Sequence, residues 1–253
     1  FHASKEAIRA NVETALRRLR TDHLDVFLAF WARSPERLDG EVAETLEELK
    51  REGLVRATGF STHHRELACQ ALRSSGPWDV LMLRHSAAHP GLERELLPLA
   101  RERGVGVLTF SALCYGRLLR RTPGEPVDQV LPTAADCYRY SLMQPGVGAT
   151  WSAPRWHWEL QENLQALVQP ALGEDALRAL RAHGAAVHEE NRRFNTMVRQ
   201  AGRTEELAPA DLAALEQELS VPLASVEADG AFTSDRRVRL PRQAHRRIGQ
   251  PRG

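Results

Sequence analysis

Ala7, Ile8, Val12, Ala15, Leu16 and Leu19 recur every three or four positions, and Ser4 stands just before them. That period places them on one face of a helix over residues 5–20, with the Ser4 hydroxyl positioned to cap its first free amides. Residues 24–31 are apolar but too few for a helix and read as a strand. Val42, Leu46 and Leu49 then mark a second amphipathic helix, which Gly53 stops. The alternation continues: residues 55–60, 80–83, 105–110 and 147–151 read as buried strands, each followed by a helix, at 65–73, 92–103, 134–143 and 156–167.

Five strand-then-helix units in succession imply parallel strands with helical crossovers, because parallel neighbours cannot be joined by a hairpin. The pattern predicts the α/β class, as an arc of a (β/α) barrel or a doubly wound sheet. An arc of five strands does not close an eight-stranded barrel, so two edges and one side of the core are expected to be uncovered, which favours association. Residues 175–194 and 211–219 have helical spacing. Residues 236–253 hold seven arginines, two prolines and no acidic residue. They are expected to be a disordered basic tail, ordinarily a solvated terminus and alternatively an electrostatic attachment to nucleic acid or an acidic protein.

Composition narrows the partners. The 253 residues are 42% hydrophobic and 26% charged, with a formal net charge of +1, so nothing in the balance calls for nucleic acid or an anionic membrane. No apolar run reaches the length of a membrane span, and no signal-peptide pattern opens the chain. Cys69, Cys114 and Cys137 are too far apart to form a zinc or iron–sulfur ligand set, and they suit a reducing, cytoplasmic setting. The first residue is Phe1, which suggests a fragment, a processed product or an unusual start.

Several segments, in order, resemble the aldo/keto reductase family. Ser4-Lys5-Glu6-Ala7-Ile8 followed by Arg17-Arg18-Leu19-Arg20-Thr21-Asp22-His23-Leu24-Asp25 is similar to that family's third helix and fourth strand. Glu47-Glu48-Leu49-Lys50-Arg51-Glu52-Gly53-Leu54-Val55-Arg56-Ala57-Thr58-Gly59-Phe60-Ser61 resembles its helix-four-to-strand-five signature. Phe110-Ser111-Ala112-Leu113 with Gly116 and Leu118 resembles the loop after strand seven, and Arg155 with Leu160-Gln161-Glu162-Asn163-Leu164 the element that holds the adenosine end of a nicotinamide cofactor. The segment Ala134-Asp136-Cys137-Tyr138-Arg139-Tyr140 is similar to a branch that can carry an iron–sulfur module, although the cysteine cluster of that module is lacking here. The resemblance covers residues 4–167. It implies a partial (β/α)8 TIM barrel lacking the first three strands, with extra C-terminal helices. The expected division is a partial barrel over 1–168, a helical extension over 169–221 and a basic tail over 222–253.

Members of the family use a tyrosine general acid tuned by a lysine, an aspartate and a histidine. By resemblance, the aspartate, tyrosine and lysine belong to strands that precede Phe1, and Phe30 stands where the histidine is expected. Hydride delivery to a carbonyl carbon creates an alkoxide, which needs a proton donor and a polar neighbour to form. Phenylalanine supplies neither. Tyr115, Tyr138 and Tyr140 are the remaining tyrosines, and Lys5 and Lys50 the only lysines; none falls where a replacement tetrad is expected.

The resemblance implies cofactor contacts at Ser61, Thr62, Ser86, Ser111, Leu113, Gly116, Arg155, Glu162 and Asn163. Ser61 and Thr62 match a family pair that holds the nicotinamide amide, and capping of the next helix is an equal reading. Ser86 occupies a position often held by a polar amide. Arg155 suits a 2′-phosphate and thus NADP over NAD, while Ala153-Pro154 replaces family glycine. His63, His64, His85 and His89 all follow strand ends and are expected to share one rim, as solvated loop residues in preference to metal ligands. The expectation is an NAD(P)H-dependent carbonyl oxidoreductase scaffold, truncated and inactive in this chain. Its alternative is a non-catalytic subunit that docks on a protein partner, or on itself, through the open barrel edge or the arginine tail.

Overall fold

Five parallel strands lie side by side in chain order: β1 (Leu24–Ala29), β2 (Val55–Thr62), β3 (Val80–Arg84), β4 (Gly106–Phe110) and β5 (Val147–Thr150). The helices are α1 (Lys5–Leu19), α2 (Glu41–Arg51), α3 (Arg65–Arg73), α4 (Leu96–Glu102), α5 (Ala134–Leu142), α6 (His157–Val168) and α7 (Glu174–Ala201). This computed structural model describes residues 4–38, 40–74 and 76–201, so the helix expected at 211–219 and the basic tail lie outside the described residues. The chain divides into two units after His188, within α7, and the site discussed below belongs entirely to the first. Among the described residues no helix is long and apolar enough to cross a membrane.

Local chemistry sets the boundaries. The Ser4 hydroxyl accepts from the Ala7 amide at 3.3 Å and opens α1, while Thr133 and Asp136 form a reciprocal capping box that opens α5. The helix expected from residue 92 begins only at Leu96. Pro98 is the reason: a proline lacks an amide hydrogen and collides with the carbonyl four residues back, so it is tolerated only in a first turn.

Strand alternation decides what is buried. Phe60, Leu81, Leu83 and Val107 face the helices and pack with Val12, Leu46, Leu49, Leu67, Leu72 and Leu96 in the main core. Val26, Leu28, Val80, Met82 and Leu108 point to the other, concave face, where Val26 is 42% exposed and the other four are half-buried. Gly59 pairs with Val80, and a Cβ at Gly59 would overlap the Val80 carbonyl, so only glycine lets β2 and β3 meet at that level. At the N-terminal ends of the strands, Lys50 Nζ lies 2.5 Å from Asp79 Oδ2, and that same oxygen accepts from the Thr58 amide at 2.8 Å.

A second apolar cluster lies beside the sheet. Leu180 and Val187 of α7 pack with Ala87, Ala88, Cys114, Leu118, Cys137 and Tyr140. Gly184 lets α7 approach closely, since a Cβ there would overlap the Ala87 backbone. Polar contacts fasten the same helix. His183 is buried, with Nδ1 2.6 Å from Glu125 Oε1 and Nε2 3.0 Å from the Leu118 carbonyl. His188 Nδ1 donates to the Ala88 carbonyl at 2.8 Å. Burial alone would raise the Glu125 pKa, but hydrogen bonds from His183 and the Thr122 amide outweigh it and bring it down to about 2.

Two outcomes are expected. Gly59→Ala should destabilise the fold by about 1–3 kcal/mol or more through overpacking between β2 and β3, read as a lower guanidinium midpoint. Because Glu125 has a folded pKa below its ordinary value, its contribution is present above about pH 4.5 and lost as the pH falls toward 2. Thermal unfolding of Glu125→Gln should therefore fall less steeply with acid over that window than unfolding of the unsubstituted chain.

Candidate active site

Parallel strands bring their C-terminal ends to one rim, and alternation again selects the side chains that face the concave mouth. Ser61 of β2, Met82 and Arg84 of β3 and Phe110 of β4 point inward, on the face opposite the buried Thr62, Leu83 and Thr109. Beyond β1 the chain turns at Trp31, whose φ of 51° is unusual for a bulky residue. Three hydrogen bonds hold that turn. The Trp31 amide donates to Ser61 Oγ at 2.8 Å, the Ala32 amide to the Ser61 carbonyl at 2.8 Å, and Thr62 Oγ1 to the Ala32 carbonyl at 2.7 Å.

An aromatic line crosses the mouth. The rings of Phe30 and Trp31 lie 6.2 Å apart, those of Trp31 and His63 also 6.2 Å, and those of His63 and Phe110 5.0 Å. Arg33 lies over the Trp31 ring at 3.9 Å. Phe30 itself is 82% exposed and carries no group that can donate or accept a proton.

The residues expected to touch a cofactor fall into separate settings. Ser61 uses a lone pair on the Trp31 amide and keeps a hydroxyl proton to offer. Thr62 is fully buried: its hydroxyl donates to Ala32 and accepts from the His64 amide at 3.0 Å, so it serves the backbone and not the mouth. Ser86 is also buried, with Oγ 3.4 Å from His89 Nδ1. Ser111, at φ 60°, and Leu113 offer carbonyls to the amides of Cys114 and Gly116 in a tight turn that ends at Gly116, φ 85°. Arg155 is exposed. Glu159 Oε2 accepts from the Arg155 amide at 2.5 Å and from the Trp156 amide at 3.2 Å, and so takes the anion position at the N-terminus of α6. Glu162 accepts from the Ala134 amide at 3.1 Å, and Asn163 donates to Ser152 at 2.9 Å.

The four histidines do not share one rim, contrary to the sequence expectation. His63 lines the mouth, and His64 is the N-cap residue of α3. His85 faces outward, fully buried, with Nδ1 3.0 Å from Ser141 Oγ and Nε2 3.2 Å from Glu93 Oε1. His89 lies near Cys114 and His188, and burial, with Arg84 next in effect, pushes its pKa down to about 3. The split follows from side-chain alternation at strand ends, which a count of residues after each strand overlooks. Tyr140 donates to Glu93 Oε1 at 2.6 Å on the outer side, and burial reinforced by that bond pushes its pKa up to about 12.

Trp31, Arg33, Arg84 and Phe110 were not singled out by sequence reasoning. The signal for Arg84 and Phe110 was available in the period-two alternation, which aligns them with the inward Met82 and Leu108. Thr62→Val keeps the shape but leaves the Ala32 carbonyl and the His64 amide unpaired. It should cost about 1–3 kcal/mol in urea unfolding, while NADPH titrations of the two chains superimpose.

Comparison with known proteins supplies the lineage. The model of the aldo/keto reductase family matches residues 1–130, just over half of the chain. A 117-residue stretch is 33% identical to the NADH-specific methylglyoxal reductase of Escherichia coli (strain K12), covering 46% of this chain and 36% of that protein. A 210-residue stretch is 24% identical to the uncharacterized oxidoreductase YqkF of Bacillus subtilis (strain 168), covering 71% and 66%. The chain thus spans between about a third and two thirds of the length of these two relatives. Among solved structures, the holo form of aldo-keto reductase AKR11C1 from Bacillus halodurans superposes with a TM-score of 0.62 at 26% identity, over 76% of this chain and 72% of that one. With its parallel arc, the order of its strands and helices and the matched family model all in agreement, the chain belongs to the aldo/keto reductase family.

Proposed function

We propose that this chain is an NAD(P)H-dependent carbonyl-reductase scaffold that performs no carbonyl reduction by itself. Phe30 carries the reading. It directly follows the strand after which the family resemblance expects a histidine, and its side chain offers a forming alkoxide neither a proton nor a hydrogen bond. The tyrosines of α5 and both lysines are engaged elsewhere, and Tyr115 is 75% exposed. Tyr138 and Tyr140 belong to α5, the Tyr140 hydroxyl serves Glu93, and Lys5 and Lys50 pair with Glu48 and Asp79.

A nicotinamide nucleotide would supply the hydride. The residues suit one at two points: the Ser61 hydroxyl proton at the mouth, and the exposed Arg155 guanidinium, whose fork matches a 2′-phosphate and favours NADP. The Arg155 and Trp156 amides become available to a phosphate only when Glu159 releases them.

A second reading, a non-catalytic subunit that docks through its open edge, has its own support. Val26 is exposed on the concave side of β1, and Leu164, Leu167 and Val168 are exposed on α6. The partner would be a second copy or another protein that completes the arc, with the arginine-rich tail as an auxiliary contact.

The purified chain, assayed with NADH and NADPH against an aldehyde panel that includes methylglyoxal, should show no turnover above a boiled control, and Phe30→His alone should bring none. Measurable reduction overturns the inactivity. In fluorescence titration NADPH should bind more tightly than NADH, and Arg155→Gln should erase the preference. For the second reading, sedimentation should show self-association or a co-purifying partner, and a partner-free monomer sinks it.

A further inference from the structure

The mouth holds two guanidinium groups that the fold itself does not neutralise. Arg33 and Arg84 form no ion pair with a carboxylate among the described residues. Arg56, Arg65, Arg73, Arg139 and Arg181 all do. Strand geometry fixes where Arg84 sits. It is the last inward residue of β3, in register with Phe110 of β4, and half-buried. His63 follows β2 on the other side of β3, yet its ring reaches the Phe110 ring at 5.0 Å, so the two rings meet over the end of the strand that carries Arg84. Trp31 adjoins His63 at 6.2 Å, and Arg33 lies over Trp31 at 3.9 Å.

The field at this place has one sign. The His63 ring is held below the ordinary imidazole range by burial and then by Arg84, His64 and Arg33, with no acidic side chain acting on it. A concave mouth lined by one sign of charge and low-dielectric walls concentrates ions of the opposite sign. Guanidinium forks match carboxylate oxygens, and ring faces and edges match a flat apolar body.

We propose that the mouth bounded by Trp31, Arg33, His63, Arg84 and Phe110 binds a planar organic carboxylate, with the carboxylate on the arginines and the flat body against the rings. This names a ligand class for the mouth of the proposed reductase scaffold and rests on that reading only for its biological use. Binding needs no turnover, so the two can fail separately.

Benzoate is the probe, benzamide its neutral counterpart and inorganic phosphate the anion without a ring, each titrated into the full chain by ligand-observed NMR at low and high salt. Benzoate should bind about ten-fold more tightly than either comparison compound and weaken with salt, and Arg84→Gln and Arg33→Gln should each reduce its affinity several-fold. The unfolding midpoint of each variant reports its folding, and should Arg84→Gln not fold, Arg33→Gln decides. Equal binding of benzoate and benzamide, equal binding of benzoate and phosphate, or benzoate affinity unchanged in the folded variants overturns the proposal.

Discussion

Parallel strands cannot be joined by a tight turn, so each must return to the same end of the sheet over a crossover that lies on a face. In this chain α2, α3, α4 and α5 provide those crossovers between neighbouring strands, and the main core forms where helices cover the sheet. The consequence is one-sided burial. Phe60, Leu81, Leu83 and Val107 are buried, while the alternate residues Val26, Leu28, Met82 and Leu108 face a concave surface that no crossover reaches. The same constraint collects every strand's C-terminal end at one rim, and this is why residues as distant in sequence as Trp31 and Phe110 both line one mouth.

Chemistry and scaffold separate at this rim. The scaffold half is kept in detail: Ser61 supports the Trp31 turn through both its hydroxyl and its carbonyl, and Thr62 locks Ala32 and His64. On the proposed reading, the proton-handling half is not kept. Phe30 takes a position that in the family resemblance belongs to a polar ring, and the buried tyrosine with a strongly perturbed pKa, Tyr140, faces away from the mouth into contact with Glu93. The hydroxyls of Ser61 and Thr62 and the carboxylate of Glu93 are thus engaged by the structure itself.

Periodic apolar residues made the elements legible in the sequence because burial on one side of a helix or strand imposes a period that survives without any knowledge of tertiary contacts. Every strand of the arc is legible this way, while the side-by-side order that separates a barrel arc from a doubly wound sheet is not. What a count of residues after each strand does not convey is direction at the strand ends. His63 and His85 both follow strands, yet one lines the mouth and the other is sealed against Ser141 and Glu93, since adjacent residues there point to opposite faces. The late start of α4 depended on a single proline, and the engagement of Glu162 with the Ala134 amide depended on α5 and α6 meeting, which no local pattern encodes.

Helix α7 passes over the segments after β3 and β4 so closely that Gly184 has no room for a side chain against Ala87, and His183 and His188 hold backbone carbonyls of both segments, Leu118 and Ala88. Opening either segment there breaks its carbonyl's bond to the helix. The turns around Ala88 and Leu118, although they are loops, therefore belong to the same opening unit as the helix, and their exposure to solvent is timed by its detachment.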